Sequence, residues 1–155
     1  TGRTHHRTPN IITSLELDPA EMEKRNIHLQ KKYAEIEENE VRFEELHCED
    51  AEYLIVAFGS CARIAQKAME MAREEGIKVG LLRPITLWPF PSKAIAARAA
   101  QVKGILTVEL NAGQMVEDVR LAVECKVPVE HFGRLGGIVP DPDEVITALK
   151  EKLIK

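Results

Sequence analysis

Several features that would mark a specialised class of protein are scarce or absent in this sequence. It has three cysteines, an odd number without CxxC spacing, which argues against a disulfide framework and against a cysteine-bound metal. Its 21 basic residues are outnumbered by 25 acidic ones, so the basic face that nucleic-acid binding requires is not expected. No apolar run approaches the ~20 residues of a membrane span, and no signal peptide is recognisable. We therefore expect a cytoplasmic protein with free thiols.

The sequence has a regular alternation of apolar runs and helical patterns. The run at 53–58 breaks at Gly59 and Ser60, and the helical pattern that follows stops at Gly76. Apolar runs that recur in this rhythm are typical of parallel strands covered on both faces by crossover helices. The predicted parallel strands are residues 53–58, 77–82, 104–109 and 127–132, with a further short strand at 42–48. The fold class that follows is a three-layer α/β/α domain.

The first 41 residues have little of their own to bury. Asp18 and Pro19 are a strong helix start, and the predicted helix runs to about residue 38. Its apolar stripe is narrow, which leaves two interpretations open. The helix lies across a neighbouring domain or subunit, or it is a solvated surface helix. The stripe consists of Met22, Leu29, Tyr33 and Ile36.

The adjacent histidines His5 and His6 are the weakest candidates for a metal site. Neighbouring side chains diverge in an extended segment, and no third ligand lies close in sequence. We interpret residues 1–17 as a polar arm, and no metal-ligating residue is assigned.

Three segments carry a resemblance to a known family. They are GLLRPITLWPFP at 80–91, TVELNAGQMVEDVR at 107–120 and HFGRLGGIVPDPDE at 131–144. They resemble the α subunit of the 2-oxoacid:ferredoxin oxidoreductases, thiamine-diphosphate enzymes that decarboxylate a 2-oxoacid to an acyl-CoA. The similar part is the C-terminal domain of that subunit, which is related to the transketolase C-terminal domain.

The resemblance implies a specific architecture. It predicts a five-stranded, mostly parallel mixed sheet in which 42–48 is an antiparallel edge strand beside 77–82. It also implies two parts of the chain, an N-terminal arm and linker helix at 1–41 and a transketolase C-terminal-like domain at 42–155. In that family the linker region joins the domain to the catalytic N-terminal domain of the same subunit.

The resemblance further implies where the cofactors lie. In the family, thiamine diphosphate and magnesium are held between the N-terminal domain and a β subunit, and the iron–sulfur clusters lie in other chains or domains. This sequence has neither a GDG-plus-Asn motif nor a cysteine ladder. We expect no catalytic residue and no cofactor in this chain, which would support assembly of an enzyme of pyruvate, 2-oxoglutarate or 2-oxoisovalerate type. The whole enzyme would use ferredoxin and coenzyme A.

The carboxyl ends of the predicted strands form the candidate site, because ligands of open α/β sheets gather there. We expect segments 59–61, 83–91, 109–114 and 133–140 to form one rim. Two uses remain open: an interface with a partner, or a pocket in which helix starts near 61 and 113 bind an anion. The candidate interface or ligand residues are Ser60, Arg83, Trp88, Phe90, Asn111, Gln114 and Arg134.

Three rival interpretations concern the same rim. A free-standing nucleotide- or anion-binding module is the alternative function, although the turn at Gly59 lacks the GxGxxG fingerprint. Cys61 at a helix start is a nucleophile candidate with His131 as base, or simply a small residue at a crowded turn. Trp88, in a loop stiffened by prolines, is expected to pack on a partner or to fold inward on its own core.

Overall fold

A computed structural model describes residue 8 and residues 15–154 of the chain, and the candidate pair His5 and His6 lies outside these residues. The structure ends with a π-helical turn at Lys150–Ile154. The preceding elements, in chain order, are α1 Pro19–Asn39, β1 Phe43–Leu46, β2 Tyr53–Ala57, α2 Gly59–Glu74, β3 Val79–Pro84, α3 Ser92–Ala99, β4 Gly104–Glu109, α4 Met115–Val123, β5 Val129–Gly133 and α5 Pro142–Leu149.

The five strands form one mixed sheet in the order β1-β3-β2-β4-β5. β1 pairs antiparallel with β3, so that Phe43 lies opposite Pro84, and the other neighbouring strands are parallel. This confirms the predicted antiparallel edge strand beside the strand that follows α2. The α/β fold class with a mostly parallel five-stranded sheet is therefore correct.

The sheet is buried on both faces. Along β2, Ile55 and Ala57 belong to the core beneath α2 and α5, whereas Leu54 and Val56 belong to the core beneath α3 and α4. Alternate side chains of a strand point to opposite faces, so two buried faces require a continuously apolar strand. Burial of both faces therefore explains why the apolar run at 53–58 is uninterrupted.

The third strand begins two residues later than predicted, at Val79 rather than residue 77. Gly76 has a φ of 85° and closes α2 as a left-handed stop. The Ile77 N–H then donates to the Ala72 carbonyl at 3.0 Å, and the Gly76 N–H donates to the Arg73 carbonyl at 2.9 Å. This is the Schellman arrangement, which uses Ile77 to end the helix and delays entry into the sheet.

α1 makes few contacts with the rest of the domain. None of its residues is buried, and its N-cap Asp18 accepts hydrogen bonds from the N–H groups of Ala20 and Glu21. Near its C-terminal end the Tyr33 ring meets the Trp88 ring edge-on, with centroids 5.5 Å apart. The narrow apolar stripe therefore has little intrachain cover. Within the described residues, no helix has the length and apolarity needed to cross a membrane.

Candidate interface at the carboxyl ends of the strands

The four parallel strands all end at one edge of the sheet. We call the four segments that follow them the strand-end rim: residues 59–61, 83–91, 109–114 and 133–140. β3 and β4 lie on opposite sides of β2, so the chain order reverses beside β2. The switch point of the sheet therefore lies at this rim, as expected from sequence.

The strand-end rim exposes more apolar surface than a turn region requires. Among the described residues, 14 large hydrophobic side chains are exposed, and half of them lie in the rim. Exposed apolar groups that cluster in this way are typical of protein–protein contact surfaces. They are Ile85, Leu87, Trp88, Leu110, Leu135, Ile138 and Val139.

The anion site expected at the start of α4 is filled by the chain's own carboxylate. Glu109, at the end of β4, is 1% exposed. Its carboxylate oxygens accept hydrogen bonds from the N–H groups of Gln114 at 3.2 Å, Met115 at 2.8 Å and Val116 at 3.0 Å. An internal carboxylate thus satisfies the donors that a phosphate would need. The prediction of exposed N–H groups at this helix start was wrong.

Asn111 and Gln114, both candidate rim residues, belong to the same arrangement. The Asn111 amide nitrogen donates to Glu109 at 3.1 Å, and its amide oxygen accepts from the Gly113 N–H at 2.7 Å. Gln114 contributes its backbone N–H to Glu109, and the residue is exposed. Asn111 therefore shapes the turn, whereas the side chain of Gln114 is available to a partner.

The two rim arginines are also paired within the chain. Arg83 donates to the Glu44 carboxylate at 2.7 Å across the β1–β3 pair. Arg134 donates to Glu144 at 2.9 Å, and Glu144 also completes the capping box of α5 with Asp141. Guanidinium groups that already bind a carboxylate bind an additional anion less strongly. The start of α2, at Gly59 and Ser60, also favoured an anion pocket, and it has no side-chain cap.

Cys61 and His131 do not form a reactive pair. Cys61 is 4% exposed, and burial, reinforced by the nearby negative charge of Glu109, raises the pKa of its thiol. The Nδ1 of His131 instead lies 3.3 Å from the Thr107 hydroxyl and 3.4 Å from the Glu109 carboxylate. A thiol that resists ionisation is a poor nucleophile. The interpretation of Cys61 as a small residue at a crowded turn fits this geometry.

The proline-rich loop divides its two aromatic residues between core and surface. Trp88 is 54% exposed, whereas Phe90 is half-buried against the core beneath α3 and α4. Thr86 fixes the loop: its hydroxyl accepts from the Arg42 N–H at 3.0 Å and donates to the Pro89 carbonyl at 2.8 Å. The Trp88–Pro89 peptide bond is cis. The hydrogen bonds of Thr86 thus hold the loop that carries Trp88 at the surface.

The sequence analysis missed the residues that satisfy this edge of the sheet internally. Glu109 lies in the predicted rim segment 109–114 but is not among the candidate residues, and neither Glu44 nor Glu144 was predicted to pair with an arginine. One signal was present in the sequence, because Glu109 ends an apolar run and stands six residues before Met115, the first residue of α4. A carboxylate close to the start of a helix is stabilised by the free N–H groups there. Among the described residues, no cluster of three or more His, Cys, Asp or Glu is arranged to hold a metal ion.

The strand order, the antiparallel edge strand and the rim define an α/β domain of the transketolase C-terminal type. A solved structure of a split-gene transketolase, an inactive β4 tetramer, has the same fold, with a TM-score of 0.62, 21% identity, and coverage of 73% of this chain and 41% of that chain. Residues 51–145 match the family described as pyruvate:ferredoxin oxidoreductase core domain II. The chain belongs to this family, as domain II of a 2-oxoacid:ferredoxin oxidoreductase α subunit, and the resemblance seen in its sequence is confirmed.

Two curated relatives and one further structure support this assignment. The chain is 49% identical over 142 residues to ketoisovalerate oxidoreductase subunit VorB of Methanothermobacter thermautotrophicus, covering 92% of this chain and 40% of that protein. It is 32% identical over 143 residues to 2-oxoglutarate synthase subunit KorA of Archaeoglobus fulgidus, covering 90% and 40%. The chain thus spans about 40% of the length of these relatives.

The further structure is 2-oxoglutarate:ferredoxin oxidoreductase from Magnetococcus marinus, which has 2-oxoglutarate, coenzyme A and succinyl-CoA bound. It is similar at a TM-score of 0.74 and 26% identity, and the match covers 88% of this chain and 24% of that chain.

Proposed function

We propose that this chain is a non-catalytic part of a 2-oxoacid:ferredoxin oxidoreductase and that its strand-end rim is an assembly surface. The observation that carries this proposal is the contrast within the rim. Its N–H groups at the start of α4 and both of its arginines are satisfied by Glu109, Glu44 and Glu144. Half of the exposed large hydrophobic side chains in the described part of the chain nevertheless lie there. A surface that exposes apolar residues, and whose arginines and α4 helix start already bind internal carboxylates, is suited to a protein partner.

The partners we propose are the catalytic N-terminal domain of the same subunit and the β and other subunits of the oxidoreductase. Residues 42–155 form the domain, and residues 1–41 are the arm and linker helix that connect it to the catalytic part. Thiamine diphosphate, magnesium and the iron–sulfur clusters belong to that parent complex, and this chain by itself is inactive. Its three free thiols, two of them buried, fit a cytoplasmic enzyme.

Ser60, Arg83, Trp88, Phe90, Asn111, Gln114 and Arg134 remain the candidate interface residues. Their proposed roles differ. Trp88 and the exposed apolar neighbours make the contact, whereas Asn111, Arg83 and Arg134 hold the loops in shape through the hydrogen bonds described above. Phe90 anchors the proline-rich loop to the core.

The experiment that tests this role places a charge on the rim. The chain is coexpressed with the other subunits of the oxidoreductase, carrying Leu135→Asp or, as a matched control, Leu121→Asp. Leu135 is 59% exposed in the rim, and Leu121 is 79% exposed on α4 outside it. Burying an unpaired carboxylate at an interface is costly, so copurification should fail for Leu135→Asp only.

Both isolated variants should melt close to the temperature of the unmodified chain, because neither side chain is buried in it. Leu121→Asp, in the last turn of α4, should cost at most about 1 kcal/mol through helix propensity and the helix dipole. Equal copurification of the two variants would show that the strand-end rim is not the assembly surface.

A further inference from the structure

A groove of about 920 Å³ lies beside the strand-end rim, between the C-terminal part of α1 and the loop that carries Trp88. Its floor is apolar and includes Val41, Phe43 and Phe90. Trp88 and Phe43 are 54% and 40% exposed, so two aromatic rings of the groove have no complete cover within the described residues. An aromatic surface of this kind fits apolar side chains from another polypeptide.

The two walls of the groove differ in charge. The α1 wall carries Glu37 and Glu38, both exposed, and the opposite wall carries Lys93 at the first turn of α3. Glu40, which lies next to the lining but outside it, is paired with Arg42. Among the described residues, Glu37 and Glu38 form no ion pair. The α1 wall therefore presents two uncompensated negative charges over an apolar floor.

The two walls of the groove meet at one aromatic contact, and the wall formed by the Trp88 loop is braced by hydrogen bonds. Thr86 ties the Trp88 loop to Arg42 at the start of β1, and Tyr33 contacts the edge of Trp88 from α1. The Trp88 loop is therefore braced by hydrogen bonds, whereas α1 meets it through one aromatic pair. A braced loop loses little conformational freedom when a partner segment packs on it.

We propose that this groove is the docking site for one segment of a partner domain or subunit, a segment that carries apolar anchor residues and a lysine or arginine directed at Glu37 and Glu38. Charge complementarity selects a basic flank, because an acidic flank would meet two like charges on the α1 wall. This inference rests on the proposed assembly role, and it adds the chemistry of the segment that binds.

The test uses photo-crosslinking within the assembled oxidoreductase. Ala34 lines the groove from α1 and is exposed, so the replacement Ala34→p-benzoylphenylalanine places a photoreactive group in the groove. The control replacement is at Leu121 on α4, outside the groove. After irradiation of the purified complex, mass spectrometry identifies the segment joined to each position.

We expect position 34 to be joined to a single partner segment. That segment should have apolar residues, and a lysine or arginine within about four residues of the crosslink. The double substitution Glu37→Lys and Glu38→Lys should lower the crosslink yield about tenfold. Each exposed ion pair contributes only modestly to binding, but the double variant loses both attractions and adds repulsion between the new lysines and the basic segment. The matched control Glu35→Lys, on the same helix but outside the groove lining, should leave the yield unchanged.

Three outcomes would overturn the inference. They are a crosslinked segment without a basic residue, a crosslink to a second copy of this chain, and a yield that does not exceed that of the Leu121 control. If the chain copurifies with the oxidoreductase and one of these outcomes follows, the groove inference alone fails. If the unmodified chain does not copurify with the other subunits, the proposed assembly role fails together with it.

Discussion

Glu109→Gln is the substitution to which the stability of the strand-end rim should be most sensitive. The change preserves the side-chain volume but replaces one acceptor oxygen with an NH₂ donor. At least one of the N–H groups of Gln114, Met115 and Val116 then loses its acceptor, and the two latter residues are buried. A buried group left without a partner costs about 1–3 kcal/mol, and the remaining bonds lose the contribution of the charge. We expect a total loss of about 3 kcal/mol.

Thermal unfolding of the isolated chain, followed by circular dichroism, measures this loss. At about 2.1 cal/mol/K of unfolding entropy per residue, 3 kcal/mol lowers the melting temperature of a chain of this length by about 9 °C. The matched control is Glu117→Gln in the first turn of α4, which is exposed and should cost under about 1 kcal/mol through the helix dipole alone. Equal melting temperatures for the two variants would refute the assignment of Glu109 as the cap of α4.

Two further predictions concern thiol reactivity and pH. Of the three cysteines only Cys125 is exposed, and burial raises the pKa of Cys48 to about 11 and also raises that of Cys61. Ellman's reagent at pH 8 should therefore titrate one thiol in the native chain and three in denaturant. Rapid labelling of Cys61 in the native chain would contradict this. The hydrogen bond from Arg98 holds the pKa of the Glu45 carboxyl below its ordinary range, so the pair stabilises the fold at neutral pH. This stabilisation is lost as the pH falls below the unfolded-state pKa of about 4.3 and then through the lower pKa of the folded state. In urea unfolding, Glu45→Gln should therefore be less stable than the parent at pH 7, with the difference shrinking towards pH 3, and a difference independent of pH would refute the pairing.

Much of the fold was accessible from the sequence because the elements repeat one simple pattern. The apolar runs at 53–58 and 104–109 are continuous for the reason seen in the structure, namely burial on both faces of the sheet. The boundary at Val79 was less accessible. It depends on how the chain leaves α2 through Gly76, and hydrophobic pattern does not report backbone hydrogen bonds.

The location of the strand-end rim followed from the sequence, whereas the pairing of its polar side chains did not. Parallel strand ends must share an edge, so the rim followed from topology alone. The partner of each polar side chain did not follow, because Arg83 pairs with Glu44 and they are separated by 39 positions in sequence. Spacing along the chain cannot indicate which charges meet across a sheet. The sequence does place Glu109 near the start of α4, but only the distances show that it accepts from three of the N–H groups there.

Hydrogen–deuterium exchange is the most direct test of the assembly role of the strand-end rim. Amide exchange is measured for the isolated chain and for the same chain within the purified oxidoreductase. We expect slower exchange in the complex at residues 85–91, 110–114 and 134–140, with little change in the outward-facing part of α4 around Leu121. Unchanged exchange at all three rim segments, with protection confined to other surfaces of the domain, would contradict the assembly role of the rim.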